Sequence, residues 1–359
     1  MRVLILLCMQ IDPVTKTEAE AGLIPYPEYL ALQKIMDATL FTLNDVKKST
    51  HPLVRLARRG GLKYGLAMLG FIHRQQYDQI YCTGEDIAIP FGFLMKMASD
   101  MGRITAVIHH GNTAKRRKLL RLLGGRVFRN IICLSRDQER VLVDICGLPQ
   151  EKVHRLALWL DHKFYDPQKV SAEQLYDEAY GLSVGQESRD YETLHRAISA
   201  QPWPFRIIAS GWSPQGFSLA EGVYDTTNIT VEKGGLSYVE LRQRYAGSRV
   251  VVVPLHDVSY AAGVTSICEA MAMGKPVIAS ASPGVIDYVR DGVSGIAVPV
   301  GDAEAMRQAI TKLWNDPELC SRMGEYNRKW VLNSFSTWRY AEQIANRMGV
   351  TLVDSAYSS

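Results

Sequence analysis

Short apolar runs, rich in β-branched residues, alternate with amphipathic stretches along most of this chain. In the first third, "VLILLC", "QIYCT" (Gln79 to Thr83), "ITAVIHH" (Ile104 to His110) and "NIICLS" (Asn130 to Ser135) are too short for helices. They are also too uniformly apolar for half-exposed strands, so they read as buried parallel strands. Between them, Tyr26 to Ala38 has helical periodicity with Pro27 near its start. Pro90 to Ala98, Thr113 to Leu123 and "RDQERVLVDIC" read as further helices. After Leu148-Pro149 the string "KVHRLALWLDHKFYDP" runs to Pro167, and a polar, weakly patterned stretch to about Gly181 reads as an interdomain linker.

A second series of strands then follows: "GLSVG", "FRIIASG", "NITVEKG", "VVVVP", "KPVIAS" and "GIAVPV". Helices over Ala303 to Asn315, Glu318 to Val331 and Ser336 to Met348 close the chain, and "VDSAYSS" reads as a loose tail. Repeated strand-helix units imply parallel sheets, and 359 residues exceed the usual size of one core. The expected fold class is therefore α/β, with two Rossmann-like, doubly wound parallel-sheet domains facing a central cleft. They take residues 1–165 and 166–335, and helix 336–350 completes the first.

Composition narrows the class. A hydrophobic content of 47% and a charged content of 22% suit an ordinary globular protein. No apolar run reaches the ~20 residues that cross a bilayer. "MRVLILLCMQ" is followed by Asp12-Pro13 without a small-residue cleavage site, so it reads as a first strand and not as a signal peptide. Six scattered cysteines with no CxxC spacing read as reduced core residues of a cytoplasmic protein. The net charge of +4 hides an asymmetry: residues 51–129 hold 14 Lys and Arg against 4 Asp and Glu, leaving the remainder acidic.

The stretch from Arg249 to Met306 carries the chemistry. It reads as strand, glycine turn, helix, strand, glycine turn, strand, with Ser282-Pro283-Gly284 leading into another helix. The small residues Ala261, Ala262 and Gly263 let a ligand approach the backbone. A helix opening near Val264 to Ser266 offers free N–H groups and a dipole to a phosphate. Glu269 sits on that helix beside the loop, in the kind of crevice where open α/β sheets bind ligands.

"SICEAMAMGKPVIASASPGVIDYVRDGVSGIAVPVGDAEAM" resembles the C-terminal signature of family-4 glycosyltransferases, retaining enzymes of the GT-B fold that use nucleotide-sugar donors. "GLPQEKVHRLALWLDHKFYDP", "YGLSVGQESRDYETLHRAI" and "FRIIASG" resemble successive family segments, so the likeness covers nearly all of residues 130–335. It implies an acceptor-binding first domain and a nucleotide-sugar-binding second one. The family's motif is Glu, seven residues, Glu; this chain has Glu269 at the second position and Ala261 at the first. The resemblance implies that Glu269 binds the ribose hydroxyls. It also implies that Gly263, Val264, Thr265 and Ser266 open a diphosphate site through their amides and the Thr265 hydroxyl. The family's usual phosphate-binding Arg falls at Gln186, so that role passes to Arg189, the cation of the loop "VGQESRDYETL". A surface pairing of Arg189 with Asp190 or Glu187 is the plainer reading.

A histidine at a strand end near sugar and acceptor is also implied, and "AVIHHGN" supplies His109 and His110, with His110 favoured. One of two adjacent strand histidines must face away. Glu85 and Asp86 either touch the acceptor or cap a helix starting near Ile87. Tyr191, Trp212 and Tyr260 either flank the base and acceptor or pack in the core.

Basic residues interleave with large apolar ones over residues 51–75 and 113–129. The pattern suits an anionic membrane surface or a solvated face above a core-facing one. Nucleic acid is not expected, because no aromatic stacking surface accompanies the charge. The reading is a metal-independent hexosyltransferase, peripheral on the inner face of the cytoplasmic membrane. Its donor would be a nucleoside-diphosphate sugar, with UDP expected, and its acceptor a hydroxyl of a lipid-linked sugar or glycan. No cofactor is expected besides that donor. A nucleotide-sugar epimerase or hydrolase and a non-catalytic GT-B subunit are the alternatives.

Overall fold

The buried run β1 (Val3–Leu7) seeds a parallel sheet. The structure is a computed structural model that describes residues 1–111, 113–175, 178–209, 228–232 and 235–353. The chain divides into two compact units: residues 1–21, 26–159 and 337–359, and residues 22–25 and 160–336.

In unit 1, β1 is followed by α1 (Thr15–Glu20), α2 (Glu28–Met36), β2 (Thr39–Thr42), α3 (Leu43–Lys48), α4 (Pro52–Ala57) and α5 (Leu62–His73). Then come β3 (Gln79–Cys82), α6 (Glu85–Met97), β4 (Ile104–Val107), α7 (Ala114–Leu123), β5 (Phe128–Cys133), α8 (Arg136–Arg140) and β6 (Val153–Arg155). The strand order is β2-β1-β3-β4-β5-β6. Alternation along each strand sorts side chains to two faces. Leu4, Leu6, Ile80 and Ile104 join a core with Leu66, Phe91 and Leu123. Val3, Ile5, Tyr81 and Val107 join another with Leu32, Ile35 and Ile344.

In unit 2, β7 (Tyr180–Val184), α9 (Tyr191–Ile198), β8 (Phe205–Ile208), β9 (Ile229–Glu232), α10 (Tyr238–Gly247), β10 (Ser248–Val253) and α11 (Val264–Ala272) follow. After them come β11 (Val277–Ser280), β12 (Gly295–Val298), α12 (Ala303–Asn315) and α13 (Pro317–Ser334). The order β12-β11-β10-β7-β8-β9 reverses direction between β7 and β10, which makes the ends of those two strands the topological switch point. The last helix, α14 (Thr337–Met348), belongs to unit 1, where Ile344 and Met348 pack beside α2.

Three sequence expectations change. No helix follows Ser282-Pro283-Gly284: residues 283–288 are turns, because Gly284 lies so close to the Tyr260 carbonyl that an added Cβ would stand 2.0 Å from that oxygen. The helix read from Pro90 opens earlier, at Glu85, with Pro90 inside it. Proline keeps its usual φ in a helix and forfeits one amide, and that local cost did not stop a turn of helix forming ahead of it. The long segment of unit 2 begins at Leu160, ahead of the expected boundary after residue 165, and takes in the polar stretch to Gly181 that reads as a linker. Part of the strand "FRIIASG", Trp212, and the end of the tail lie outside the described residues.

Candidate functional site

The switch point of unit 2 holds a buried cation. Gly185 leaves β7 with φ 102°, and Arg189 folds back beneath it with only 4% of its surface exposed. Its Nε donates to the Val184 carbonyl at 3.0 Å, Nη1 to the Glu187 carbonyl at 2.9 Å and Nη2 to Ser266 Oγ at 3.0 Å. All three acceptors are neutral, and among the described residues no carboxylate lies within ion-pair distance of it. Burial lowers its pKa from the ordinary guanidinium value, although an arginine stays charged at neutral pH. The surface pairing read from sequence is absent. Asp190 instead caps α9, accepting from Thr193 N at 3.0 Å and Thr193 Oγ1 at 2.6 Å.

Beside Arg189 lies the N-terminus of α11. Gly263 is its N-cap at φ 77°, without a side-chain cap, so the first-turn amides keep no side-chain acceptor. Glycine is required twice over at this position, for its φ and because a Cβ would stand 2.8 Å from Val253 Cγ1. Ser266 links the helix to β7 by its contact with Arg189, and Thr265 is exposed. The guanidinium and the helix dipole thus put two positive poles at one corner.

Glu269 is buried, with 7% exposure, and both of its oxygens are engaged. Tyr165 Oη donates to Oε1 at 2.7 Å and Tyr245 Oη to Oε2 at 2.8 Å. Burial raises its pKa against the pull of these bonds and of Arg189. Each carboxylate oxygen retains one further lone pair. The tyrosines had no signal in the sequence, because nothing in their spacing ties Tyr165 to a helix 104 residues away. Ala261 is half-buried, and Tyr260 beside it spans to the loop after β7 through Ser188 and Glu187. Tyr191 is a bracing core residue: it is buried, donates to the Gly185 carbonyl and has its pKa pushed up to about 12 by burial.

Unit 1 places His109 and His110 just past β4, both half-buried. His109 Nε2 lies 3.2 Å from the Thr83 carbonyl, and its ring stands edge-on to Trp159 at 6.2 Å. Burial lowers its pKa despite the nearby Glu85, so the neutral ring is favoured. Glu85 caps no helix; the N-cap is Gly84. Its carboxylate accepts from the His109 amide at 2.9 Å and meets Arg116 Nη2 at 3.4 Å, so it holds the strand end in place. Asp86 joins Arg116 at 3.5 Å and Lys63 at 3.8 Å.

The basic segments divide by use. Arg58 donates to the Val46 and Lys47 carbonyls, Arg121 to Ile145, and Arg74 pairs with Asp100. Arg55, Arg59, Lys115 and Lys118 are exposed and make no ion pair among the described residues. Near them Leu53, Leu56 and Leu122 are 49%, 60% and 61% exposed. The leucines of α7 therefore split, with Leu120 and Leu123 in the core and Leu122 outside. No described helix is long and apolar enough to cross a membrane.

Unit 2 is a doubly wound α/β unit with a cationic corner at its switch point, the place where open α/β sheets bind ligands. Residues 225–330 match the family described as Glycosyl transferases group 1, so the chain carries a glycosyltransferase group 1 domain. It is similar to the putative glycosyltransferase EpsD of Bacillus subtilis (strain 168), at 34% identity over 35% of this chain and 34% of that protein. It is also similar to the alpha-D-kanosaminyltransferase of Streptomyces kanamyceticus, at 28% identity over 55% of this chain and 54% of that protein. The chain thus spans about a third to about half of the length of these curated relatives. Among solved structures it resembles Anabaena Alr3699/HepE in complex with UDP-glucose, with a TM-score of 0.72 and 15% identity over 97% of this chain and 99% of that one. The two parallel six-stranded sheets with flanking helices are the GT-B arrangement.

Proposed function

We propose that this protein is a retaining, metal-independent glycosyltransferase of family 4 that moves a hexosyl group from a nucleoside-diphosphate donor to a hydroxyl acceptor. One observation carries this reading: Arg189, buried without an ion pair among the described residues, stands beside the uncapped N-terminus of α11. Burying a cation outside any ion pair is costly, and a bound diphosphate would supply a direct partner. The cation, the helix dipole and the amides of Gly263, Val264 and Thr265 stabilise the leaving diphosphate as its charge grows. UDP is the donor nucleotide proposed, on the strength of the UDP-glucose that the Anabaena protein binds. Glu269 keeps a free lone pair on each oxygen for the ribose hydroxyls. The position of Ala261 passes the donor sugar's recognition to other groups.

The acceptor proposed is a lipid-linked sugar or glycan at the cytoplasmic face of a membrane, met by unit 1. His109 and His110 are assigned to the sugar and acceptor there, and His109, favoured neutral, can accept or orient a hydroxyl proton. The non-catalytic alternative draws on Glu269, whose oxygens both engage tyrosines. Calorimetric titration with nucleoside diphosphates tests the main reading. Micromolar binding by the wild type is expected, falling about 10- to 100-fold in Arg189→Ala, the range for lost charge-assisted hydrogen bonds. Wild-type protein that binds no nucleoside diphosphate would end the transferase reading. Donor binding with transfer unchanged by Ala at both histidines would remove them from catalysis.

A further inference from the structure

The cationic corner of unit 2 carries at its rim a group that a phosphate site alone does not need. Glu187 lies two residues ahead of Arg189, and its main-chain carbonyl accepts from Arg189 Nη1 at 2.9 Å. Its side chain is held elsewhere. Tyr260 Oη donates to Glu187 Oε1 at 3.0 Å and lies 2.7 Å from Ser188 Oγ. A phenol has one proton, so Ser188 donates to Tyr260 when Tyr260 donates to Glu187. The relay ties the loop after β7 to the loop after β10. It also holds Ser188, a residue with a Cβ, at φ 54°, a conformation that persists where the surroundings enforce it.

The Glu187 charge acts on Arg189, raising its pKa, yet the two make no ion pair. A carboxylate placed this way opposes an incoming phosphate without neutralising the cation. It gains a use once the phosphate carries something with hydroxyl groups, because a carboxylate accepts hydrogen bonds from a diol. The side chain of Ala261, next to Tyr260 in the chain, offers only a methyl group.

We propose that Glu187, aimed by Tyr260, accepts hydrogen bonds from the hydroxyls of the sugar attached to the donor diphosphate and so determines donor specificity. The inference rests on the nucleotide-sugar reading given above. Its test compares two ligands, uridine diphosphate and UDP-glucose, by calorimetry on wild type, Glu187→Gln and Tyr260→Phe. In Glu187→Gln the free diphosphate should bind as tightly as in wild type or more tightly, because repulsion is removed. The sugar-bearing ligand should bind about tenfold more weakly, the loss of a hydrogen bond to a charged group. Tyr260→Phe, which keeps the carboxylate but releases it, should shift the same ratio in the same direction by less. Equal weakening of both ligands would make Glu187 merely structural and overturn the proposal, as would an unchanged ratio. Wild type that binds neither ligand would overturn the underlying reading as well.

Discussion

Two carboxylates, the buried Glu269 and the half-buried Glu28, behave differently because their partners differ. Glu269 holds two tyrosine hydroxyls, so Glu269→Ala strands both in a buried site. Each unsatisfied group costs about 1–3 kcal/mol, and a drop of about 2–6 kcal/mol in unfolding free energy by urea denaturation is expected. Glu269→Gln, which keeps an acceptor, should lose much less. Glu28 opens α2 and has its pKa raised by burial to about 7, although its own amide, that of Tyr29 and the Trp159 indole favour the charged form. A raised carboxylate pKa means that the folded state binds the proton more tightly than the unfolded state. Its contribution to stability is therefore full below about pH 4.5 and lost as pH rises to about 7. Glu28→Gln, which does not titrate, should gain on wild type in denaturant midpoint between pH 5 and 7.5 and match it at pH 4. A gap that stays constant with pH would refute the burial of Glu28. Glu269 was legible in the sequence as a helix carboxylate near a ligand loop. Its two tyrosines were not, because long-range side-chain pairing leaves no periodic trace.

The elements of unit 2 meet at one close approach that sets the shape of the corner. Gly284 brings the turn after β11 against the backbone at Tyr260, where a Cβ would stand 2.0 Å from a carbonyl oxygen. Gly284→Ala must push the two loops apart, at about 1–3 kcal/mol of stability, the range for overpacking. Both nucleoside-diphosphate affinity and thermal stability should fall; a variant with unchanged melting temperature would show that the loops are not locked together. Hydrophobic periodicity located most strands to within a residue or two, because a buried parallel strand is a short, uniformly apolar run. It missed β2, whose residues are mostly half-exposed, the three-residue β6, and the short helices α1, α3 and α4, whose few turns give little periodicity to read. It also supplied a helix after Ser282 that tertiary contact forbids.

At the scale of the whole molecule the charge asymmetry leaves exposed cations on two segments of unit 1. Arg55, Arg59, Lys115 and Lys118 stand exposed near the unburied Leu53, Leu56 and Leu122. A cation near an anionic bilayer contributes about 1 kcal/mol, so the membrane partner proposed above predicts a salt-sensitive attachment through these four. Vesicles of mixed neutral and anionic lipid should pull down the wild type at low salt. Replacing all four by Gln should release most of it, and binding that resists both high salt and these substitutions would rule the surface out. Arg58, Arg74, Arg116 and Arg121, part of the same basic stretch, are engaged within the unit and should matter less.

The alternation of apolar strands and amphipathic helices determined the α/β class, and the segment from β10 to β12 determined the candidate ligand loop, because both are local patterns written in consecutive residues. Which charges are buried, and by what they are held, was decided only by the fold. Arg189 reads in sequence as a phosphate-binding loop cation or a surface ion-pair partner, and only the fold buries it outside any ion pair among the described residues, where β7, β10 and α11 converge on it. Glu85 reads as a cap and becomes a brace for the His109 strand end. Desolvation and counter-charge depend on neighbours distant in the chain, and sequence order does not record that distance.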